Sequence, residues 1–277
     1  MSNRYDVGRL GSAVMDLFAK AGLDGEKATA TAQILIEADL IGHTTHGLAL
    51  APWYLEAIEK GGMAKTGEPQ IRSDRGACIA WDGKRLPGLW LTAKAVDLAV
   101  ERVTTFGTVT VAIGNGHHIG CLAAYLQRAT DRGFYIIVAS SSPSGASVAP
   151  FGGTKPIYTP NPIAIGVPTR GDPILIDISA SITTQNMTSR LVAENRPFDH
   201  PWLMEADGQA TTDPNALARG GSLLPVGGFD HGQKGYGLAL MIETLTQGLS
   251  GIGRADGLTG TNASVLVQVL DPSAFGG

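Results

Sequence analysis

The spacing of apolar residues changes near residue 107, and this change limits the folds that the chain can adopt. Before it, apolar side chains recur at helical spacing over three stretches, residues 5–22, 24–41 and 90–106. After it come five short runs that are rich in Val and Ile, which are TVTVAI, FYIIVAS, PIAIGVPT, PILIDIS and ASVLVQVL. Helical patterns near residues 120–132 and 235–249 lie between some of these runs, so the sequence predicts an α/β fold.

Capping residues predict where two of the early helices begin. Asp24 precedes the second helical stretch and is a candidate N-cap. Thr44 and Thr45 are candidates to cap a further helix that extends to about Lys60, where a pair of glycines would end it. The first part of the chain is therefore predicted to be rich in helix.

Composition excludes several classes of protein. The chain has 277 residues, 43% of them hydrophobic, so it can bury a large core. No apolar run approaches the length of a membrane span, and the first ten residues lack an apolar signal core. A net charge of −4 without a basic stripe argues against nucleic acid, and two distant cysteines, Cys78 and Cys121, fit a reducing compartment. We expect a cytoplasmic protein that binds neither membrane nor nucleic acid.

The segment VTVAIGNGHHIG, residues 109–120, has the composition of a phosphate-binding turn but not its spacing. Its glycines are Gly114, Gly116 and Gly120, so the last gap is one residue longer than in the dinucleotide fingerprint G-x-G-x-x-G. The next predicted strand also lacks the Asp or Glu that would bind the ribose. Two histidines, His117 and His118, lie in the turn. Either they are packed and hydrogen-bonded structural residues, or one of them moves a proton near neutral pH.

A second histidine-containing turn, GHTTHGLALAPWYL, covers residues 42–55. It is compatible with a simple helix cap, with proton transfer by His46, or with a metal site that uses His43 and His46. The metal interpretation is disfavoured, since no acid or cysteine follows at ligand spacing and the HExxH pattern is absent. We therefore predict no metal.

Several ordered blocks together resemble a known family. They are EADLIGHTTHGL (37–48), HHIGCLAAY (117–125), VAPFGG (148–153), NPIAIGVPT (161–169), DIS (177–179), EADGQATTDP (205–214), LLPVGG (223–228) and KGYGLAL (234–240). The chain resembles the malate/L-lactate dehydrogenase family, which is unrelated to the Rossmann-type lactate and malate dehydrogenases. That family also includes ureidoglycolate, sulfolactate and diketogulonate dehydrogenases or reductases and a cyclic imine reductase.

The resemblance implies a fold and an organisation. We expect a non-Rossmann, mixed-sheet α/β cofactor domain with a helix-rich second domain, assembled as a homodimer with active sites near the subunit interface. Residues 1–107 would form the helix-rich substrate and dimerisation part and residues 108–234 the NAD(P)-binding domain. Residues 235–277 would return to the first part, and family members continue beyond the point where this chain stops.

The resemblance also implies a site. In some members a Ser-His pair, matched here by Thr45 and His46, acts as relay and proton donor together with the aspartate that matches Asp177. In other members the proton donor is the histidine that matches His118. We favour His46 as the donor, because a carboxylate that orients one imidazole makes it a better-placed acid. NAD or NADP would be contacted by His118, Ile119, Gly120, Cys121, Leu122, Ser142, Asp177, Ile178, Ser179 and Lys234. Leu50, Tyr54 and Pro160 would face the substrate.

Departures from the family pattern make the predicted substrate pocket less cationic. Leu50 and Ile41 replace usual arginines, Pro160 a threonine, Met187 a lysine and Gln233 a histidine. The first hypothesis is hydride transfer between the nicotinamide and a small 2-hydroxy or 2-oxo acid. The alternatives are reduction of a cyclic C=N bond and a catalytically silent homologue that only binds a nucleotide.

Overall fold

The computed structural model describes residues 4–277. Its α-helices are α1 (Val7–Lys20), α2 (Gly25–Leu40), α3 (Ala51–Glu59), α4 (Gly88–Phe106), α5 (Gln127–Thr130), α6 (Gln185–Ala193), α7 (Gly228–His231) and α8 (Gln233–Glu243). Its strands are β1 (Gln70–Asp74), β2 (Cys78–Asp82), β3 (Thr108–Gly116), β4 (Tyr135–Ser141), β5 (Pro162–Val167), β6 (Ile174–Ser179), β7 (Leu203–Met204), β8 (Ala210–Thr211), β9 (Ser222–Leu223) and β10 (Ala263–Leu270).

Seven strands form one mixed sheet in the order β1-β2-β3-β10-β4-β5-β6. Only β2 and β3 run parallel; the other neighbouring pairs are antiparallel. A small second sheet has the order β8-β7-β9. The predicted mixed-sheet, non-Rossmann α/β fold is therefore confirmed, because a doubly wound Rossmann sheet would be parallel.

Helices cover both faces of the large sheet. Alternate residues of β3 and β10 point to α4, and they are Val109, Val111, Ile113, Val265, Val267 and Val269, all buried. On the opposite face, Leu266 of β10 and Ala139 of β4 pack with Ile242 of α8. Each fully buried aliphatic side chain of this kind contributes about 1.5–3 kcal/mol of transfer free energy. The central strands are consequently the most deeply buried part of the sheet.

The three predicted early helices and the five predicted strands are confirmed within a few residues. The Asp24 carboxylate accepts the backbone N–H of Lys27, as an N-cap does. The α-helix predicted near 120–132 is wrong in extent: a 3₁₀ turn at Ala123–Tyr125 leads into the single turn of α5. The helix predicted at 235–249 begins as α8 and continues as a π-helical turn, Thr244–Gly248.

The start predicted for the third helix is wrong. Neither Thr44 nor Thr45 caps it; a 3₁₀ turn, Leu48–Leu50, precedes α3, which begins at Ala51. The Thr45 hydroxyl is instead bonded to His46, and the Leu48 N–H is satisfied by the Asp39 carboxylate. Residues 42–47 are thereby free of the helix and form a turn.

The hairpin of β1 and β2 was not predicted, and it adds strands from the first hundred residues to the sheet. The sheet thus contains strands from each of the segments 1–107, 108–234 and 235–277. The division into these segments stays a prediction. Within residues 4–277, no helix is long and apolar enough to cross a membrane.

Candidate active site

The two histidine turns meet. The first follows the end of α2, where Gly42 adopts φ +93° and the His43 N–H returns to the carbonyl oxygen of Ala38. The second follows β3. The rings of His46 and His118 lie nearly parallel, with centroids 6.3 Å apart and planes 24° from each other. Two partly buried imidazoles from turns more than seventy residues apart therefore lie side by side, and we call the space between these two turns the cleft.

His46 has a hydroxyl on one nitrogen and charged groups around it. Thr45 Oγ1 lies 2.9 Å from His46 Nδ1, so the Nε2 atom remains for another partner. Burial lowers the pKa of His46; the positive charges of His43 and Arg190 lower it further, and the Asp177 carboxylate opposes them. Of the two facing imidazoles, His46 is therefore the one whose pKa is raised in part by a nearby carboxylate, that of Asp177.

His118 is held in one tautomer by its hydrogen bonds. Tyr54 Oη lies 2.6 Å from His118 Nδ1, and the backbone N–H of Gly120 donates to the same atom at 3.3 Å. Because an amide N–H only donates, Nδ1 accepts, and these bonds assign the ring proton to Nε2. Burial and the neighbouring imidazoles of His46 and His117 lower the pKa of His118 to about 3. His118 is therefore a neutral hydrogen-bond donor at physiological pH.

His117 is not part of the cleft. Its side chain is fully buried and its ring centroid lies 5.4 Å from that of Trp53 and 5.8 Å from that of Tyr54. Neither ring nitrogen has a hydrogen-bond partner among residues 4–277, and burial lowers the pKa of His117 to about 4. His117 is therefore packed, as the structural interpretation predicts, but it lacks the hydrogen bond that this interpretation included.

Asp177 lies on the edge strand β6 and is tied to the turn that follows His118. Its Oδ2 accepts the backbone N–H of Ala123 at 2.9 Å and lies 3.6 Å from Cys121 Sγ. Burial and the Asp177 charge raise the pKa of the Cys121 thiol to about 12, so this thiol is a donor to the carboxylate. The carboxylate thus connects β6 to the histidine turn.

The predicted cofactor residues differ in whether their side chains are buried, exposed or hydrogen-bonded. The side chains of Ile119, Cys121 and Leu122 are buried in the main core, so any contact of these residues with a cofactor would come from their backbone. Ile178 is 52% exposed and points to the opposite face of β6 from Asp177. The Ser179 hydroxyl donates to the carbonyl oxygen of Ser181.

Two further predicted cofactor residues lie at the ends of elements. Ser142 directly follows β4, and Lys234 is exposed in the first turn of α8. Gly235 brings this turn against the end of β6, since a Cβ at that position would lie 2.7 Å from the carbonyl oxygen of Ala180 and 2.3 Å from the Val226 nitrogen. Only glycine allows this approach.

The predicted substrate residues are only partly in line with that role. Leu50 packs against the main core, and the Pro160 carbonyl accepts the N–H of Ala180 beside β6. Tyr54 is fully buried and its hydroxyl is bonded to His118. In the structure this hydroxyl orients His118, and the substrate contact of Tyr54 stays a prediction.

Gly120 lies between the two histidine turns. It adopts φ +69°, and a Cβ there would lie 3.7 Å from the His46 carbonyl oxygen and 3.9 Å from Tyr54 Oη. The glycine thus keeps a side chain out of the space between the turns, and its positive φ is one that other residues rarely adopt.

One cluster matches metal-ligand chemistry, and it is not the predicted alternative of His43 with His46. His43, Cys121 and Asp177 each bring one ligand atom within 4.8 Å of the others. The cysteine is a thiol, however, and its proton is directed at the carboxylate. A metal would have to displace that proton before binding.

The sequence analysis placed Met187 of α6 in the predicted pocket, but it did not predict that α6 contacts the turn that carries His46. Asn186 Nδ2 donates to the carbonyl oxygen of Thr45 at 3.1 Å, and Arg190 Nη2 donates to Thr44 Oγ1 at 3.2 Å. Their spacing of four residues puts both side chains on one helical face. That spacing is visible in the sequence, but what the face contacts is not.

Comparisons with known proteins agree with this architecture. A profile of the family described as malate/L-lactate dehydrogenase matches residues 6–277. The chain is 35% identical over 231 residues to the (2R)-3-sulfolactate dehydrogenase (NADP(+)) of Chromohalobacter salexigens, covering 83% of this chain and 67% of that protein. It is 34% identical over 251 residues to the malate dehydrogenase of Pyrococcus abyssi, covering 90% and 69% respectively.

Solved structures are similar over nearly the whole chain. A dehydrogenase from Sinorhizobium meliloti has a TM-score of 0.88 and 33% identity, covering 98% of this chain and 80% of its own. A Δ1-piperideine-2-carboxylate reductase from Pseudomonas syringae pvar. tomato has a TM-score of 0.89 and 25% identity, covering 98% and 83%. The fold and the order of the elements are thus shared with both.

Proposed function

The chain belongs to the malate/L-lactate dehydrogenase family, and we propose that it transfers hydride between NAD or NADP and a small 2-hydroxy or 2-oxo acid. The observation that carries this proposal is the pair of facing imidazoles, one beside a carboxylate and one held neutral. Such a pair suits a reaction in which one oxygen atom gains or loses a proton.

The residues divide the work between them. His46 accepts the hydroxyl proton when a hydroxy acid is oxidised and returns it when a 2-oxo acid is reduced. Thr45 engages Nδ1 of His46, which leaves Nε2 for the substrate oxygen. Asp177 stabilises the protonated imidazole, since its charge opposes the lowering of the His46 pKa. His118 donates its Nε2 proton as a hydrogen bond to the same oxygen without giving the proton up.

The bound nicotinamide supplies or takes up the hydride. We propose that it is held by the backbone of residues 118–122, by Ser142, by residues 177–179 and by Lys234. The ammonium of Lys234 is exposed, as a group that meets a phosphate or ribose hydroxyl should be. The (NADP(+)) in the name of the Chromohalobacter salexigens relative makes NADP one of the two cofactors to test.

The direct test is loss of the near-ultraviolet absorbance of NADH or NADPH when the purified protein meets a panel of substrates. The panel contains pyruvate, oxaloacetate and other 2-oxo acids, with cyclic imino acids in parallel wells. Oxidation of one cofactor by a 2-oxo acid supports the proposal. Saturable nucleotide binding with no turnover in any well contradicts it and supports a silent homologue.

Reduction of a cyclic imine is the second candidate. It is supported by the similarity to the Δ1-piperideine-2-carboxylate reductase and by Leu50, which offers no charge to a substrate carboxylate. The same proton donor, His46, would then serve a ring nitrogen. Turnover confined to the imino-acid wells would select this reaction.

We further propose that the protein is a cytoplasmic homodimer without a nucleic-acid partner. The resemblance implies the dimer, the dispersed charge argues against nucleic acid, and the two distant cysteines fit a reducing compartment. Sedimentation equilibrium of the purified protein measures the assembly, and a monomer at the concentration of the activity assay would contradict the dimer.

A further inference from the structure

Arg190 is a cation at the cleft that the proposed chemistry does not yet use. It lies on α6, four residues after Asn186, and both side chains reach the turn that carries His46. Its guanidinium makes one recorded side-chain bond, to the neutral hydroxyl of Thr44. Four of the five N–H groups of a guanidinium therefore remain for another partner.

Among residues 4–277, no carboxylate lies within 4.0 Å of the Arg190 guanidinium, in contrast with other arginines. Arg196 is paired with Glu194 at 3.0 Å, and Arg219 with Glu205 at 2.6 Å. The side chain of Arg190 is only partly exposed, and its charge lowers the pKa of His46. An unpaired guanidinium near the proton donor is a candidate partner for an anion.

We propose that Arg190 binds an anionic group of the substrate, a carboxylate or a sulfonate. This inference rests on the proposed function and adds to it the residue that recognises charge. A planar guanidinium can hold two oxygens of such a group at once, and positions 41 and 50 offer only apolar side chains for the purpose. The positively charged contact with the substrate would then come from α6, and not from positions 41 and 50.

The first experiment compares KM and kcat of wild-type protein and Arg190→Gln for pyruvate, oxaloacetate and sulfopyruvate, which offer one carboxylate, two carboxylates, and a carboxylate with a sulfonate. We expect KM to rise about 10- to 100-fold for at least one of them, with a smaller change in kcat. A rise for all three assigns Arg190 to the carboxylate beside the reacting carbon. A rise confined to the last two assigns it to the second anionic group.

Two control variants separate substrate binding from a structural role. Arg196→Gln removes the same charge from the exposed segment after α6, and Thr44→Val removes the hydroxyl but keeps the Arg190 charge. Arg196→Gln should retain wild-type KM, and Thr44→Val should change KM less than Arg190→Gln does. An Arg190→Gln protein whose KM equals that of Arg196→Gln, or a Thr44→Val protein that shows the whole effect, would overturn the inference.

Binding of oxalate, measured by titration calorimetry, tests the inference without turnover. Wild-type protein should bind oxalate and Arg190→Gln should bind it more weakly, with Arg190→Lys in between, since a lysine keeps the charge but not the fork. If the wild type reduces no 2-oxo acid yet shows this order, the proposed function fails and the anion site stands. If turnover occurs and oxalate affinity is the same in every variant, the anion site fails and the function stands.

Discussion

The Tyr54 hydroxyl oxygen lies 2.6 Å from Nδ1 of His118, deep beneath the cleft, and the Gly120 N–H donates to the same nitrogen. A helix of the first part of the chain thereby sets the tautomer of an imidazole that follows β3. The proton on Nε2 is then available to the cleft at every pH above the lowered pKa of His118, about 3. The donor needs no protonation step before each turnover.

Tyr54→Phe should relax this tautomer while keeping the ring packing. The Phe ring fills the same space, but only the longer bond from Gly120 would still favour a lone pair on Nδ1. We expect kcat to fall about 10-fold and stability to fall about 1 kcal/mol. Nitrogen NMR of labelled histidine reads the tautomer directly, and an unchanged His118 spectrum with wild-type kcat would contradict the role given to Tyr54.

Substitution of the two cleft histidines should have different effects on the pH profile. His46→Gln removes the group that exchanges a proton, so turnover should fall by about two to four orders of magnitude and its pH dependence should flatten. His118→Gln removes a neutral donor, so the rate should fall by about two orders of magnitude while the pH dependence of kcat persists. Near-normal turnover in both variants would show that neither imidazole does this chemistry.

His117 should make the fold sensitive to mild acid. Its pKa is about 4 in the folded protein and 6.5 without burial, so the unfolded chain binds its proton first as the pH falls. This contribution to stability is fully present above pH 6.5 and is lost progressively between 6.5 and about 4. It amounts to about 3 kcal/mol by linkage.

Urea unfolding at neutral pH and in mild acid measures this loss. His117→Leu replaces the buried imidazole with an apolar side chain that cannot be protonated. This variant should therefore lose less stability on acidification than the wild type. The same decrease in both proteins would assign the acid sensitivity to other groups, such as His118.

Asp24 and Lys27 form an ion pair whose two members should respond unequally to substitution. The Lys27 side chain is 2% exposed, its Nζ lies 2.7 Å from Asp24 Oδ2, and it lies 3.9 Å from the centre of the Trp90 ring. The bonds from Lys27 lower the pKa of Asp24, although burial opposes this. Asp24→Asn keeps an N-cap but leaves a buried ammonium without its counter-charge.

We therefore expect Asp24→Asn to cost about 2 kcal/mol of unfolding free energy, and Lys27→Met to cost less, because methionine packs on Trp90 without a charge. Chemical denaturation of the two variants and of the double variant gives the coupling between the positions. Equal costs for the two single variants would show that charge burial does not dominate here.

The parts of the structure that follow from local pattern were predictable. Asp24 caps α2, and the β-branched runs form the strands, because spacing and capping act over a few residues. The β1–β2 hairpin was missed because its sequence, QIRSD followed by CIAWD, has mixed polarity and an exposed outer strand. A weakly buried edge strand has little periodicity to detect.

The site was predictable only in its ingredients. Both histidine turns are visible in the sequence, yet their approach to 6.3 Å depends on how α2 and β3 pack. The bond between Tyr54 and His118 and the contact of Arg190 with Thr44 join positions 64 and 146 residues apart. Contacts of that separation follow from tertiary packing, which single-residue patterns do not encode.

Strand β10 lies between β3 and β4, although it comes after every other strand of the sheet in the chain. During synthesis, β3 and β4 each keep an unpaired edge until more than a hundred further residues have been added to the chain. The sheet can therefore close only once residues 263–270 have left the ribosome, and until then these edges can pair with other chains. The position of one strand therefore leaves two strand edges open to intermolecular pairing until residue 270 has been synthesised.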